Sequence, residues 1–504
     1  MNIFIRCFVV WCAACVAARA ESTPIVAVLP EINQLQKWNA MHGDSADPFW
    51  ADDDLLYHFT CDGRGFGKAQ RNFCFNKLTG PDLLHLKGEL VHAMDEYGKA
   101  GAKAADGSNW KVCGQECIDD VFYTFVACNQ YGKDSKDPLM RQTSYNGSLI
   151  KSTDRGRTWT RNAQENYAQP MWPGGRFGAP GFIHYGRNGG QVTQDQANQF
   201  VYAISNNGFW NGGDDFILGR CRRADLAKLN AGDWSYFAGG DGNTADAWTA
   251  DIAKAKAILV APAKLGWTAP VFVPALNRYL LVSWYVTPTL KKWFEPGVVI
   301  YEFFEAEHPW GPWRMLPGFS DRFLASGHMY GPNLCAKFQE RRGDDVQVDL
   351  YTSGCPFQDK PDGLYKMWRI PLTLKTKPLP PATLVNDDDP AIRYTGNWVA
   401  SRKRKFHNHQ DDVHASQTAG DAAEFAFTGT GVEWLAEKFS DQGSAEVFLD
   451  GQSRGTVQLK QQDFPRLVQV RVFSAQQLPA GRHTLKIVNA GADFVAIDAF
   501  AVTK

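Results

Sequence analysis

Between residues 24 and 376 the chain is a succession of short runs rich in β-branched and aromatic side chains, separated by Gly, Asn and Asp turns. Residues 55–59 (LLYHF), 121–126 (VFYTFV), 200–204 (FVYAI), 279–284 (YLLVSW) and 346–351 (VQVDLY) are typical, and each has the length and composition of a strand. The 3.6-residue periodicity of a helix is scarce. So many strands in a region too long for one simple sandwich imply radial repetition, in which each small sheet buries its faces against its neighbours. The pattern predicts an all-β chain with a β-propeller over residues 21–380. Pro378, Pro380, Pro381 and the run Asn386-Asp-Asp-Asp-Pro390 read as a linker. Beyond it, runs at 423–427, 445–449, 467–472, 483–488 and 494–502, with an Asp450-Gly451 hairpin turn, predict a β-sandwich of jelly-roll type over 381–504.

With 504 residues, 44% hydrophobic and 21% charged, the chain can bury real cores and is unlike a disordered protein. A formal net charge of -1 leaves no basic excess for nucleic acid or an anionic membrane. Residues 1–20 have a charged start, the apolar run FVVWCAACVAA and a small-x-small ending at Ala20. They read as a signal peptide, so the expected location is secreted or periplasmic, without membrane insertion. Eight cysteines follow the leader: Cys61, Cys74, Cys113, Cys117, Cys128, Cys221, Cys335 and Cys355. In an oxidising compartment disulfides are the expectation, with a zinc site on Cys113 and Cys117 as the lesser alternative. Ser152-Thr-Asp154-Arg-Gly156-Arg-Thr158-Trp159 has the S-x-D-x-G-x-T-W form of an Asp-box, a hairpin turn in which Asp154 serves structure.

Six aspartates fall within nineteen positions, from Asp44 to Asp62, around one predicted strand. Cleaving a glycosidic bond takes one carboxylic acid to protonate the leaving oxygen and one carboxylate to act as nucleophile or to activate water. Crowded carboxylates raise one another's pKa, which keeps an acid protonated nearer neutrality. Asp44 before the strand and Asp62 after it are the candidate catalytic pair, with Asp53 as a third acid that orients or tunes them. Asp54, Trp50, His328, Tyr330 and Glu302 are candidate substrate contacts, with Trp210 and Trp284 as further cleft-lining aromatics. Flat rings stack on sugars while polar tips bond hydroxyls. No cofactor is implied, although an oxygen-rich cluster could hold a structural calcium.

The segment from Asp44 through Trp50-Ala-Asp-Asp-Asp54, Leu-Tyr and Asp62-Gly-Arg-Gly-Phe-Gly67 resembles the opening of the DUF4185 family. Arg176-Phe-Gly-Ala-Pro-Gly-Phe-Ile-His-Tyr-Gly186, the strand at 200–205, Phe216-Ile-Leu-Gly-Arg220, Tyr301-Glu302, Pro309-Trp-Gly-Pro-Trp313 and Tyr330-Gly-Pro-Asn333 resemble its later segments, in order. The resemblance implies a five-bladed propeller and, through glycoside hydrolase family 183, endo-D-arabinanase-like hydrolysis of a polysaccharide; a monomer is the separate expectation for its assembly. The chain departs from the family pattern at Asp44-Ser-Ala-Asp47-Pro-Phe and at Cys61. The C-terminal segment is similar to galactose-binding-like modules, on 392–398, 425–431, 447–451, 478–485 and Ile497-Asp498. Two alternatives stand beside a glycoside hydrolase: a carbohydrate-binding propeller without turnover, and a sialidase. The sialidase reading lacks an arginine triad, because Arg220, Arg222 and Arg223 crowd one segment.

Overall fold

The computed structural model describes residues 22–504 except 39, 45–46, 82–84, 100, 104–106, 131–140, 162–169, 192–198, 288–298, 326, 355–364 and 463–464. The expected signal peptide and Cys355 lie outside the described residues. Among the described residues the structure is nearly all β, with 58% strand and 7% helix.

Strands from Ala27 to Lys375 form five successive antiparallel sheets, the blades of a propeller. The first blade holds His42–Asp44, Leu56–Gly65, Phe73–Thr79 and Lys87–His92, with Phe49–Trp50 also pairing on Leu56–Gly65. The second holds Asn109–Ile118, Val121–Gln130 and Thr143–Ser152, and the third is built around Gly181–Phe182, Phe200–Asn206 and Gly213–Arg222. Val271–Val273, Arg278–Val286, Val299–Ala306 and Arg314–Ser320 form the fourth. The fifth combines Met329–Arg342, Asp345–Gly354 and Met367–Lys375 with Ala27–Pro30, which pairs on Met367–Lys375 and closes the ring with a strand from its other end.

The inner strands meet backbone to backbone around the axis. Gly114 N donates to Pro180 O at 2.8 Å, His184 N to Pro270 O at 2.9 Å and Phe272 N to His184 O at 2.9 Å, with a parallel bridge between His184 and Val271. A Cβ on Gly114 would lie 2.4 Å from the Gly181 Cα and 2.7 Å from the Phe182 nitrogen, so only glycine lets the second and third blades approach this closely. The turn at Ser152–Trp159 is tied by Asp154, whose carboxylate accepts from the Ser152 hydroxyl (2.8 Å), Thr158 N (2.9 Å) and the Thr158 hydroxyl (2.7 Å). Trp159 packs on Phe59 and Phe75 of the first blade.

Strands from Ala382 to Thr503 form three further sheets. Ala382–Asn386, Ala499–Thr503, Gly431–Lys438 and Leu467–Ala475 face Ile392–Thr395, Ala422–Gly429, Gly481–Asn489, Ser444–Leu449 and Gln452–Gln458. Trp434, Val470 and Phe500 from one side and Phe425, Val447 and Ile487 from the other fill the space between, with Phe425 and Phe500 stacked at 4.5 Å. Asp450 (φ 51°) and Gly451 (φ 78°) both adopt the left-handed conformation of a two-residue hairpin turn. Two details differ from the sequence reading. Ala382–Asn386 is a strand, so the segment joining the two sets of sheets is shorter than the proline and aspartate pattern suggests. The run 494–502 is split at Asp498, whose buried carboxylate accepts from Asn408 Nδ2, His409 N and Gln469 N and turns the chain from one sheet into another.

The expected disulfides are corrected by the structure. All seven described cysteines are free and buried. They serve as small core side chains spread over different blades, a common use of free cysteine. Cys113 and Cys117 share a strand, but the irregular register between Val112 and Gln115 sends Cys113 into one apolar cluster and Cys117 into another, so they do not converge on a metal. Burial pushes the Cys113 thiol pKa up to about 12. Gly114→Ala is expected to lower stability by about 1–3 kcal/mol, measured by urea unfolding. An unchanged midpoint would show that the inner strands are not held in contact.

Candidate active site

Asp44 ends the innermost strand of the first blade, and its Cα partner across the ladder is Cys61, the residue before Asp62. The two aspartates are therefore neighbours in space although eighteen positions apart. Their strands touch: a Cβ on Gly63 would sit 2.1 Å from His42 O and 2.5 Å from the Gly43 Cα. Asp62 adopts φ 45°, unusual for a residue with a side chain, and its amide is fixed by Asn72 O at 3.0 Å. Asn72, fully buried, is itself held by donation to Tyr97 O and Ala102 O.

Lys111, from the inner strand of the second blade, forms an ion pair with Asp62 Oδ1. Tyr330, from the inner strand of the fifth, donates its hydroxyl to Asp44 Oδ2 at 2.7 Å. The Tyr365 hydroxyl donates to Asp62 O at 3.3 Å, and its ring lies edge-on to His42. Burial is the largest influence on Asp44 and pushes its pKa up to about 6, with the negative charge of Asp62 acting in the same direction. The Lys111 cation and the Tyr330 and Tyr365 hydroxyls partly oppose this. Asp44 is 8% exposed, whereas the Asp62 side chain keeps 26%, so Asp62 is the open side of the pair. One carboxyl is thus environmentally biased to hold a proton while its neighbour faces a cation, the asymmetry that acid and nucleophile roles require.

Trp210 and Trp284 stand beside Tyr330, with ring centroids 5.6 and 6.1 Å away, and His328 is buried 6.1 Å from the same ring. Both tryptophans are largely buried and pack beside the ring that bonds Asp44.

The structure does not bring the other candidates to this place. Asp52, Asp53 and Asp54 occupy the turn before Leu56, and Leu56 lies six residues along the strand from Asp62, or roughly 20 Å. There Arg155 pairs with Asp52 (2.6 Å) and Asp53 (2.8 Å), the Tyr57 hydroxyl donates to Asp53 (2.8 Å), and Lys337 and the Trp50 indole meet Asp54 at 3.2 and 2.8 Å. Asp53 is thus engaged far from Asp44 and Asp62, in a turn whose charge is already matched by cations. Trp50 lines an open cavity of about 510 Å³ with Pro274, Phe338, Gln339 and Arg341, at the opposite end of the axis. Glu302 lies on the third strand of the fourth blade and binds the Tyr285 hydroxyl (3.0 Å) and Lys264 (3.3 Å). Arg220 stacks on Phe200 and Trp248 and Arg223 pairs with Asp119, so the arginines of the sialidase reading remain apart.

Deeper on the axis is a group that the sequence reading missed as a unit. His184 is fully buried, with Nε2 3.0 Å from Asp47 Oδ1 and Nδ1 2.8 Å from Glu116 Oε2. Glu116 lies five residues after Lys111 on the same inner strand, Asn109–Ile118, and Asp47 lies three positions after Asp44, beyond the end of its strand. Burial, the largest influence, opposes protonation of His184. The charges of Asp47 and Glu116 and their hydrogen bonds outweigh it and raise the imidazole pKa to about 10. Burial raises Glu116. A buried imidazolium between two carboxylates satisfies both ring nitrogens and closes the axis. Lys111, an isolated cation between Trp110 and Val112, was the legible signal for the first group. Glu116 lay unnoticed between two cysteines.

No family model matches the chain. Over 119 residues it is 33% identical to the A type blood alpha-D-galactosamine galactosaminidase of Flavonifractor plautii, covering 24% of this chain and 10% of that one. Over 112 residues it is 30% identical to the A type blood N-acetyl-alpha-D-galactosamine deacetylase of the same organism, covering 22% and 14%. The chain therefore spans only about a tenth to a seventh of the length of these curated relatives. Among solved structures, an exo-beta-1,3-galactanase from Phanerochaete chrysosporium aligns with 95% of this chain and 99% of its own at 11% identity and TM-score 0.38. A putative hydrolase from Bacteroides ovatus aligns with 68% and 90% at 13% identity and TM-score 0.41.

His184→Gln is expected to cost about 3–5 kcal/mol at pH 7, because two buried carboxylates lose their cation. The raised pKa of His184 contributes stability that is full below about 6.5 and is lost as pH rises towards 10. The difference in urea midpoint between wild type and variant should therefore shrink from pH 6 to pH 10; a constant difference would show that His184 is neutral.

Proposed function

We propose that this protein is a carbohydrate-active glycoside hydrolase in which Asp44 donates the proton to the leaving oxygen and Asp62 acts on the opposite side of the bond, as nucleophile or through water. The observation that carries the reading is the asymmetry of the pair: Asp44 is buried, raised in pKa and bonded by Tyr330, while Asp62 is partly open and paired with Lys111. Glycosidases need such a division between two carboxyl groups. The local likeness to glycan-processing enzymes of Flavonifractor plautii, and the resemblance of 40–375 to an arabinanase-containing family, support a glycan as substrate.

Within this reading, Tyr330 orients the Asp44 carboxyl and Lys111 balances the charge of Asp62 before and after proton transfer. Trp210 and Trp284 shape the wall that excludes water. Arabinan is the first polysaccharide to test, followed by β-1,3-galactan and α-linked galactosamine glycosides. The C-terminal sandwich acts as a carbohydrate-binding module, and the mature chain is exported.

The purified protein is expected to release reducing ends from one of these glycans. Asp44→Asn and Asp62→Asn should each slow release by about 10²–10⁴-fold. Binding without release across the panel would instead support a lectin. Wild-type activity should fall as pH rises through about 6, where Asp44 loses its proton, and a rate rising through that range would exclude Asp44 as donor. Because its pKa is raised, Asp44 contributes stability present below about 3.8 and lost as pH rises through about 6. The thermal midpoint of wild type relative to Asp44→Asn should accordingly decline from pH 4 to pH 7.

A further inference from the structure

The C-terminal sandwich docks on the loop that precedes the strand carrying Tyr330. After Arg314–Ser320 the chain makes a short turn at Asp321–Phe323. Leu324 then forms an antiparallel bridge with Leu467, and Ala325 N donates to Arg466 O at 2.9 Å. Leu467 begins the strand Leu467–Ala475, which is the edge of its sheet, so the propeller loop covers amides and carbonyls that would otherwise be unpaired. Phe323, Leu324 and Leu467 are buried in one apolar cluster continuous with both cores. Arg466 is itself fixed by Glu437 and Asp441, each at 2.5 Å. A second contact joins Lys438 Nζ to Asn33 Oδ1 at 2.8 Å.

The first residue of the turn is linked to the acid pair. Asp321 is fully buried, and its carboxylate accepts from Val299 N at 3.1 Å and from Met329 N at 3.0 Å. Met329 precedes Tyr330, the residue whose hydroxyl bonds Asp44. Tyr330 is held on its other side by the Thr352 hydroxyl, which donates to Tyr330 O at 2.9 Å and lies 3.1 Å from the Tyr301 hydroxyl. The docked edge strand, the turn, Asp321, the Met329 amide, Tyr330 and Asp44 thus form one connected series.

We propose that the C-terminal sandwich is a structural support of the acid pair: by clamping residues 321–325 it holds Asp321 on the Met329 amide and so sets the Tyr330–Asp44 hydrogen bond, with Asp321 as a positioning residue. The consequence for turnover rests on the reading of Asp44 as proton donor, whereas the coupling between sandwich and pocket does not. A module serving only as a glycan tether would have no need of this contact.

The test uses the full chain with Ala325→Pro, which removes the amide bonded to Arg466 O; Leu324 has φ -85° and ψ 123°, compatible with a following proline. Hydrogen–deuterium exchange read by mass spectrometry should speed up in both 466–470 and 329–331, by about fivefold for a lost hydrogen bond. Asp321→Asn should speed up 329–331 while leaving 466–470 protected. On arabinan, or whichever glycan of the panel the wild type degrades, both variants should lower kcat more than they raise KM. Both should also move the alkaline limb upward, because the Tyr330 bond normally holds the Asp44 pKa down. Faster exchange at 466–470 with 329–331 still protected would overturn the proposal, as would unchanged exchange at both. If Asp321→Asn fails to fold, Ala325→Pro decides alone. If no glycan is degraded, the exchange result still decides the coupling, and only the hydrolase reading falls.

Discussion

Five inner strands converge on one axis, and the polar residues they carry must be satisfied there without bulk water. That constraint organises the centre of the propeller. Deep on the axis, His184 bridges Asp47 and Glu116, so two buried carboxylates share one imidazolium. Elsewhere among the inner strands, Lys111 answers Asp62, while Asp44 accepts from Tyr330 but takes its charge pairing only at second hand. A buried carboxyl in that position tends to keep its proton. The difference in environment between Asp44 and Asp62 is thus a by-product of how charge is distributed among the blades.

The same logic separates acids that sequence proximity groups together. Asp52, Asp53 and Asp54 are closer to Asp62 along the chain than Asp44 is, yet a strand carries them to the far end of the blade. There Arg155 and Lys337, from the second and fifth blades, neutralise them. Those ion pairs join neighbouring blades at the rim, while the Asp154 turn and Trp159 pack the second blade onto the first.

The two sets of sheets are less independent than beads on a string. A bridge between Leu324 and Leu467, with the hydrogen bond of Ala325 to Arg466, lays a propeller loop along a sandwich edge, and the apolar cluster runs through the contact. An apolar contact with backbone hydrogen bonding, unlike a flexible linker, favours one relative orientation. It also gives the edge strand Leu467–Ala475 a protecting neighbour over its first residues.

The sequence by itself determined the β class, the succession of strands and the place where one group of sheets gives way to another, because alternation, β-branched content and turn residues are local properties. It also singled out Asp44, Asp62 and Tyr330 as candidate site residues. Only the tertiary structure decided which of these meet. The ladder that pairs Asp44 with Cys61, the span that removes Asp53, and the convergence of Lys111, Glu116 and His184 from different blades all depend on register and on blade order. Neither is written in any short segment. The cysteines make the same point: eight thiols suggested crosslinks, yet even those that share a blade, Cys61 with Cys74 and Cys113 with Cys117 and Cys128, are free core side chains, as are all seven described ones.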